Sequence, residues 1–217
     1  MVSFHAIIMG PQGSGKGTYA TRIAPMFDAK VISTGDLIRA EIAKKSEIGK
    51  KIEGICLKGM LVPDEIVLDL LKRELADTEN FILDGFPRTI AQAITLENIA
   101  DIDVVINLIV PKPVLIQRLS SRRVCQKCGA IFNILTLKPK KEGVCDKCQG
   151  TLIQRADDNP EAIEQRLKLF QEQTAPIIDF YRKKGIVIDI ECNSADIPPE
   201  IMVDRILKML ADRGIKP

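Results

Sequence analysis

Gly10-Pro11-Gln12-Gly13-Ser14-Gly15-Lys16-Gly17-Thr18 follows the apolar run Ala6-Ile7-Ile8-Met9 and opens a segment of helical periodicity. A strand, a glycine-rich loop and a helix in that order read as a grip for phosphate. The glycines let successive backbone N–H groups turn inward with no Cβ in the way, and the helix N-terminus adds partial positive charge. Lys16 supplies a mobile full charge suited to the β- and γ-phosphates of a nucleotide. The spacing matches G-x-x-x-x-G-K, except that Gly17 follows the lysine and the hydroxyl comes one step later, at Thr18. That displacement weakens a direct magnesium-ligand role and leaves Thr18 as a phosphate-side contact.

Working outward, 217 residues suffice for one sizeable core with appendages. Thirty-one Lys and Arg against 29 Asp and Glu give a net charge of +2. No whole-protein field therefore pulls the chain toward nucleic acid or a membrane, and any basic site is local. Met1-Val2-Ser3-Phe4-His5 leads straight into the first strand, and no apolar run is long enough to span a bilayer. A cytoplasmic location is expected. In that compartment the six cysteines are not expected to pair as disulfides, and four of them stand in two C-x-x-C pairs, which points to metal.

Short apolar runs at Ala6–Met9, Val31–Ser33, Phe81–Leu83, Val104–Val110 and Ile186–Ile190 alternate with helical segments. The helices are expected from Gly15 to about Ala24 and over Asp36–Lys44, Asp64–Leu75, Thr89–Asn98, Pro113–Arg122, Pro160–Arg182 and Pro198–Leu210. Such alternation predicts an α/β fold, a doubly wound parallel sheet flanked by helices, with its ligands at the carboxyl ends of the strands. Two regions break the alternation and read as inserted subdomains. One is the strandless helical stretch 34–62, the other the polar, cysteine-bearing stretch 124–159. The core is then expected in 1–33, 63–123 and 160–217.

Asp84 ends the strand Phe81-Ile82-Leu83 and is followed by Gly85-Phe86-Pro87-Arg88-Thr89. A carboxylate there faces the phosphate loop and suits Mg²⁺, held through its waters. Arg88 brings a rigid fork for bidentate phosphate recognition. The second constellation is Cys125-Gln126-Lys127-Cys128-Gly129, sixteen intervening residues after Cys128, then Cys145-Asp146-Lys147-Cys148-Gln149-Gly150. Four thiolates in paired turns suit a closed, tetrahedral Zn²⁺ site, with Gly129 and Gly150 relaxing the backbone after each knuckle. Iron in a rubredoxin-like or iron–sulfur form shares this ligand set, so cysteine count alone leaves the metal open. A segment this short buries little apolar surface, and metal binding can supply its folding free energy. Ile131-Phe132-Asn133-Ile134-Leu135-Thr136-Leu137 reads as lid core or, alternatively, as a patch for self-association. Cys56 and Cys192 read as small buried residues. His5, the single histidine, begins the first strand and is expected to be structural.

These motifs accumulate in order: the loop Gly10–Thr18; Ser33-Thr34-Gly35-Asp36-Leu37-Ile38-Arg39; Gly59-Met60-Leu61-Val62-Pro63-Asp64; Asp84–Thr89 with Gln92; Arg122-Arg123-Val124; and Arg155-Ala156-Asp157-Asp158-Asn159 with Arg166. Together they resemble adenylate kinase through most of the chain, in the long form whose lid binds zinc. The resemblance implies reversible transfer of the ATP γ-phosphoryl group to AMP, giving two ADP, with Mg²⁺ accompanying the nucleotide. It implies that ATP is held by Gly13, Ser14, Gly15, Lys16, Gly17 and Thr18, with Arg118 stacking on adenine and Arg122 on phosphate. Thr34, Arg39, Met60, Leu61, Val62, Gly85, Arg88 and Gln92 would hold AMP, Gln92 on the adenine edge, with Arg155 and Arg166 closing from the lid side. Lys16, Asp84, Arg88, Arg122, Arg155 and Arg166 would carry catalysis, and Asp157 and Asp158 would position lid arginines. The family most often has Gln where this chain has Tyr19.

The chemistry is consistent with one histidine, because an ionised phosphate acceptor needs no general base and the work is positioning plus charge stabilisation. The partners expected are ATP, AMP and ADP, without nucleic acid or membrane. A monomer is expected, with association through the lid as the alternative. Two rival readings stand beside this one: the same fold with broad triphosphate use, and a zinc-ribbon, nucleic-acid-binding P-loop ATPase. The second is disfavoured by near-neutral charge and by a single aromatic, Phe132, between the knuckles.

Overall fold

The computed structural model describes residues 3–217; Met1 and Val2, part of the expected lead into the first strand, lie outside the described residues. Strands β1 (His5–Met9), β2 (Lys30–Ser33), β3 (Phe81–Asp84), β4 (Val104–Ile109) and β8 (Val187–Glu191) form one parallel sheet in the order β2-β3-β1-β4-β8. The expected strands all appear, with ends shifted by a residue or so. β1 alternates its side chains between the two faces. Ala6 and Ile8 enter the core formed with α1 (Lys16–Ile23), α6 (Lys112–Ser120) and α9 (Pro199–Ala211). Ile7 and Met9 enter the other core, with α4 (Asp64–Leu75), α5 (Ile90–Glu97) and α8 (Ala175–Arg182). Both faces are covered by helices, which is why the strands are continuous apolar runs.

After β1 the chain builds β2, returns to place β3 beside β1, and then crosses to β4 on the other side. The strand order reverses at β1, so the loop after it opens into the crevice where such sheets bind ligands. Register supplies the neighbour: Ile8 pairs with Asp84 across β1 and β3, bringing the strand-ending carboxylate alongside the phosphate loop.

The first inserted region holds α2 (Thr34–Ala43) and α3 (Glu47–Leu57). Ser33 caps α2 by accepting from Asp36 N–H at 3.3 Å, so the helix starts two residues earlier than its periodicity indicates. Ser46 caps α3 at Gly49 N–H, 2.9 Å away. The second region is a small antiparallel sheet of β5 (Arg122–Cys125), β6 (Ile131–Asn133) and β7 (Leu152–Ile153), in the order β6-β5-β7. The expected helix Pro113–Arg122 is corrected here: it ends at Ser120, and Arg122 opens β5. Hydroxyl and amide groups of Ser121 and Asn133 form the seam, with Asn133 Nδ2 donating to Ser121 Oγ at 2.8 Å and to the Arg118 carbonyl. The lid has its own core of Cys125, Phe132, Cys145 and Leu152. Its apolar stretch divides: Phe132 is buried, while Ile134 and Leu135 are exposed.

The expected helix Pro160–Arg182 is not uniform. It runs as α7 (Pro160–Leu169), capped by Asn159 Oδ1 on Ala162 N–H, then a π-turn over Phe170–Thr174, then α8. Among the described residues no helix is long and apolar enough to cross a membrane.

Candidate active site

The starts of α2, α5 and α7 are each capped by a side-chain oxygen, but that of α1 is not. Its N-cap is Gly15 at φ +101°, a left-handed conformation that favours glycine. The uncapped N–H groups are thereby free for an external acceptor. Tyr19 explains part of this geometry. It is buried, and its ring backs Gly15 so closely that a Cβ there would come within 2.8 Å of ring carbons. The aromatic residue at this unusual position thus holds the loop from behind.

Lys16 Nζ donates to the carbonyls of Gly10 and Pro11 at 2.8 and 3.0 Å. Withdrawal from water lowers its pKa to about 8, against the pull of Asp84 and with the push of Arg88 and Arg122. Burial raises the Asp84 pKa, with Lys16 and Arg88 opposing. Asp84 Oδ2 lies 3.2 Å from where a Cβ on Gly17 would stand. A side chain at position 17 would crowd the carboxylate, which accounts for glycine there and for the late hydroxyl of Thr18. Ser14 Oγ is buried and unpartnered. A hard carboxylate oxygen and an orphaned hydroxyl beside a phosphate loop fit Mg²⁺ carried with a nucleotide.

Opposite the loop, Thr34 Oγ1 donates to the Gly85 carbonyl at 2.8 Å, joining α2 to the turn after β3. Arg88 Nε donates to the same carbonyl at 2.7 Å, and desolvation lowers the Arg88 pKa. Gln92 is 2 % exposed, and its amide is already engaged: Oε1 accepts from Arg88 N–H at 2.7 Å and Nε2 donates to Asp64 at 2.6 Å. Asp64 also accepts from Thr89 Oγ1 at 3.0 Å. Asp64 is a functional neighbour that sequence reasoning missed as such, because its partners lie 25 and 28 positions away. Of the residues expected around the base, Val62 is buried in the core, Leu61 is half-buried and Met60 is exposed, its Sδ meeting Gln165 Nε2.

The lid arginines converge on the same space, each beside an acid. Arg122 pairs with buried Asp158 through both nitrogens of its fork, the Nε–Oδ2 distance being 2.8 Å. Arg166 pairs with Asp157, whose pKa falls because that guanidinium outweighs the effect of burial. Arg39 pairs with Asp36, and Arg155 Nη2 lies 4.0 Å from the same carboxylate. Burial, with Arg39 and Arg122 nearby, lowers the Arg155 pKa to about 10. Its Nε is buried with no partner. Lys16 and these five arginines, Arg88 included, outnumber Asp36, Asp84, Asp157 and Asp158, so the pocket retains excess positive charge suited to polyanions. Ile131 of the lid comes within 3.8 Å of the Gly17 Cβ position, reaching over the phosphate loop. Arg118 points elsewhere than its neighbours. It donates to the carbonyls of Ser14 and Ser194, both at 3.2 Å, and to Cys192 Sγ at 3.1 Å. Cys192 is buried as expected, whereas Cys56 is only half-buried.

The four lid sulfurs lie within 4.8 Å of one another, with Cys125–Cys148 at 3.4 Å and Cys128–Cys145 at 3.6 Å. A tetrahedron with metal–sulfur bonds of about 2.3 Å has edges of about 3.8 Å, so the thiols fit one such ion. Burial pushes the Cys125 thiol up, but the N–H groups of Cys128 and Lys127 and neighbouring thiols outweigh it and bring it down to about 6. Gly129 has the expected left-handed φ of +72°, but at the second knuckle Gln149 takes that conformation, at +58°. Gly150 instead provides room: a Cβ there would stand 2.9 Å from Cys125 Sγ. His5 sits at the far end of the sheet, its ring nitrogens each 2.8 Å from a carbonyl, of Asp101 and Glu79. It has the structural role expected.

A phosphate loop at the switch point of a parallel sheet, facing a ring of arginines, defines a phosphotransferase acting on nucleotides. The sequence profile described as adenylate kinase matches residues 8–186. Adenylate kinases of Treponema denticola, Archaeoglobus fulgidus and Kosmotoga olearia are 48 %, 44 % and 42 % identical to the chain. Those matches cover 88 %, 85 % and 94 % of this chain and 93 %, 89 % and 97 % of the relatives. The chain belongs to the adenylate kinase family, and its reaction is transfer of the ATP γ-phosphoryl group to AMP, giving two ADP.

Proposed function

We propose that ATP lies along the phosphate loop and AMP against α2 and the turn after β3, with the γ-phosphoryl group passing between Lys16 and Arg88. Gly13, Ser14, Gly15, Gly17 and Thr18 line the donor phosphates. Thr34, Arg39, Gly85 and Gln92, with Met60, Leu61 and Val62 flanking, form the acceptor side. Arg122, Arg155 and Arg166 neutralise charge developing on the transferred group, held in aim by Asp158, Asp36 and Asp157. Arg118 secures the loop backbone at Ser14 and borders the donor base. Asp84 and Ser14 would hold the hydrated Mg²⁺, which supplies further neutralisation of phosphate charge. The single observation that carries this reading is the buried, unpartnered Arg155 Nε with Arg39 and Arg122 nearby, a donor suited to an anion.

The residue ranges 34–62 and 124–159 act as the AMP-side insertion and the lid, on a core of 1–33, 63–123 and 160–217. The lid ion is Zn²⁺, bound by Cys125, Cys128, Cys145 and Cys148. Support comes from four thiols lying within 4.8 Å of one another, enough to fill a tetrahedral ion's coordination, and from a reaction with no redox step. The protein works in the cytoplasm as a monomer, without nucleic acid or membrane. A coupled assay of ADP formation with AMP and a panel of triphosphates, and metal analysis of the same sample, tests the assignment. ATP should be the best donor and about one zinc per chain should be found. Equal use of all triphosphates, or stoichiometric iron, would overturn the respective part.

A further inference from the structure

The π-turn between α7 and α8 does something that neither the phosphate loop nor the lid accounts for. Ala175 N–H bonds to the carbonyl of Phe170, five residues back, so the turn contains one residue more than an α-helix would. Arg166 and Thr174 are eight apart, which on an unbroken α-helix leaves them about 80° out of phase. The inserted residue makes that interval span the arc of seven, about 700°, within about 20° of two full turns. Arg166 and Thr174 therefore share one face.

The contacts agree. Arg166 Nη2 reaches Asp157 and approaches the Cys56 carbonyl at 3.5 Å, while Thr174 Oγ1 donates to the Arg88 carbonyl at 3.1 Å. A helical threonine ordinarily turns its hydroxyl back to the carbonyl four residues earlier. Here the nearly buried hydroxyl instead crosses to another element. The Arg88 main chain is thus held on both sides, its N–H by Gln92 Oε1 and its C=O by Thr174, while Nε is held by Gly85.

We propose that Thr174 is a positioning residue for Arg88: delivered by the π-turn, its hydroxyl fixes the Arg88 peptide so that the free nitrogens of the guanidinium meet the AMP phosphate. The proposal rests on the AMP-side assignment of Arg88. Thr174→Val keeps the shape and removes the donor, and losing one such bond should raise KM for AMP about fivefold and lower kcat. KM for ATP should not change. Calorimetry should show weaker AMP binding and unchanged adenosine binding, because adenosine has no phosphate for Arg88. Thr174→Ser should restore the wild-type constants, and Thr174→Val should add nothing in an Arg88→Ala background. Where valine packs badly, seen as a fallen Tm, Thr174→Ala is read in the same way. Wild-type AMP constants without the hydroxyl, while Arg88→Ala is impaired, would overturn the proposal alone. Serine as impaired as valine, or parallel loss of ATP and adenosine binding, would also overturn it by showing a packing effect. Arg88→Ala with undiminished AMP affinity would remove the underlying assignment instead.

Discussion

Lys16 is an amine whose pKa is held below its ordinary range, at about 8, chiefly by burial. It is therefore charged below that pH and neutral above it, and the loop loses its mobile cation as pH rises. Since kcat/KM reports the free enzyme, kcat/KM for ATP should fall above about pH 8, whereas bound phosphate should move the limb in kcat higher. Lys16→Arg should have a lower plateau but no such limb, because guanidinium does not deprotonate in this range. A flat wild-type profile, or a limb persisting in the arginine variant, would contradict the role. At this scale the sequence disclosed what local motifs carry. Lys16, Asp84 and Arg88 stand at fixed offsets from glycine turns, so their placement could be read directly. Asp64 and Asp36 could not, since each matters through partners that only the tertiary fold brings near.

At the scale of elements, periodicity found the sheet strands and their flanking helices because each buries a continuous face. It missed β5, β6 and β7, which are two to four residues long and bury few apolar side chains, Val124, Cys125, Phe132 and Leu152. It missed the π-turn too, because one inserted residue does not disturb a hydrophobic pattern enough to register. The short strands lead to an expectation about the lid. Cys145→Ser should lose the bound metal, lower Tm of the lid transition and remove amide-exchange protection over residues 122–153, while amides of β1 and β4 stay protected. Unchanged metal content and unchanged protection would reject the four-thiol site.

At the scale of the whole molecule, the stretch 34–62 reaches across the cleft to α7 of the core and, through Asp36, to Arg155 of the stretch 124–159. A Cβ on Gly59 would lie 2.7 Å from the Ala162 carbonyl, Arg166 approaches Cys56, and Arg155 approaches Asp36. On the proposed roles, this closure would keep water, a small competing acceptor, from the transferred phosphoryl group. Replacing Cys128 through Cys145 by a short Gly/Ser linker should therefore leave AMP affinity, measured by calorimetry, within about twofold while cutting turnover at least about a hundredfold, because the downstream arginines lose their aim. Full turnover would dismiss the gating role, and a collapse of AMP affinity would show a damaged core.

The separateness of the lid's core from the two cores of the sheet has a further consequence. Burial holds the sheet together, whereas a lid this small would, on the proposed zinc assignment, depend on its four thiols and their ion. Heat would then dismantle the one and a chelator the other. Metal starvation would then leave a dormant pool, folded and still able to take up AMP yet catalytically idle, which returning metal would revive without new synthesis.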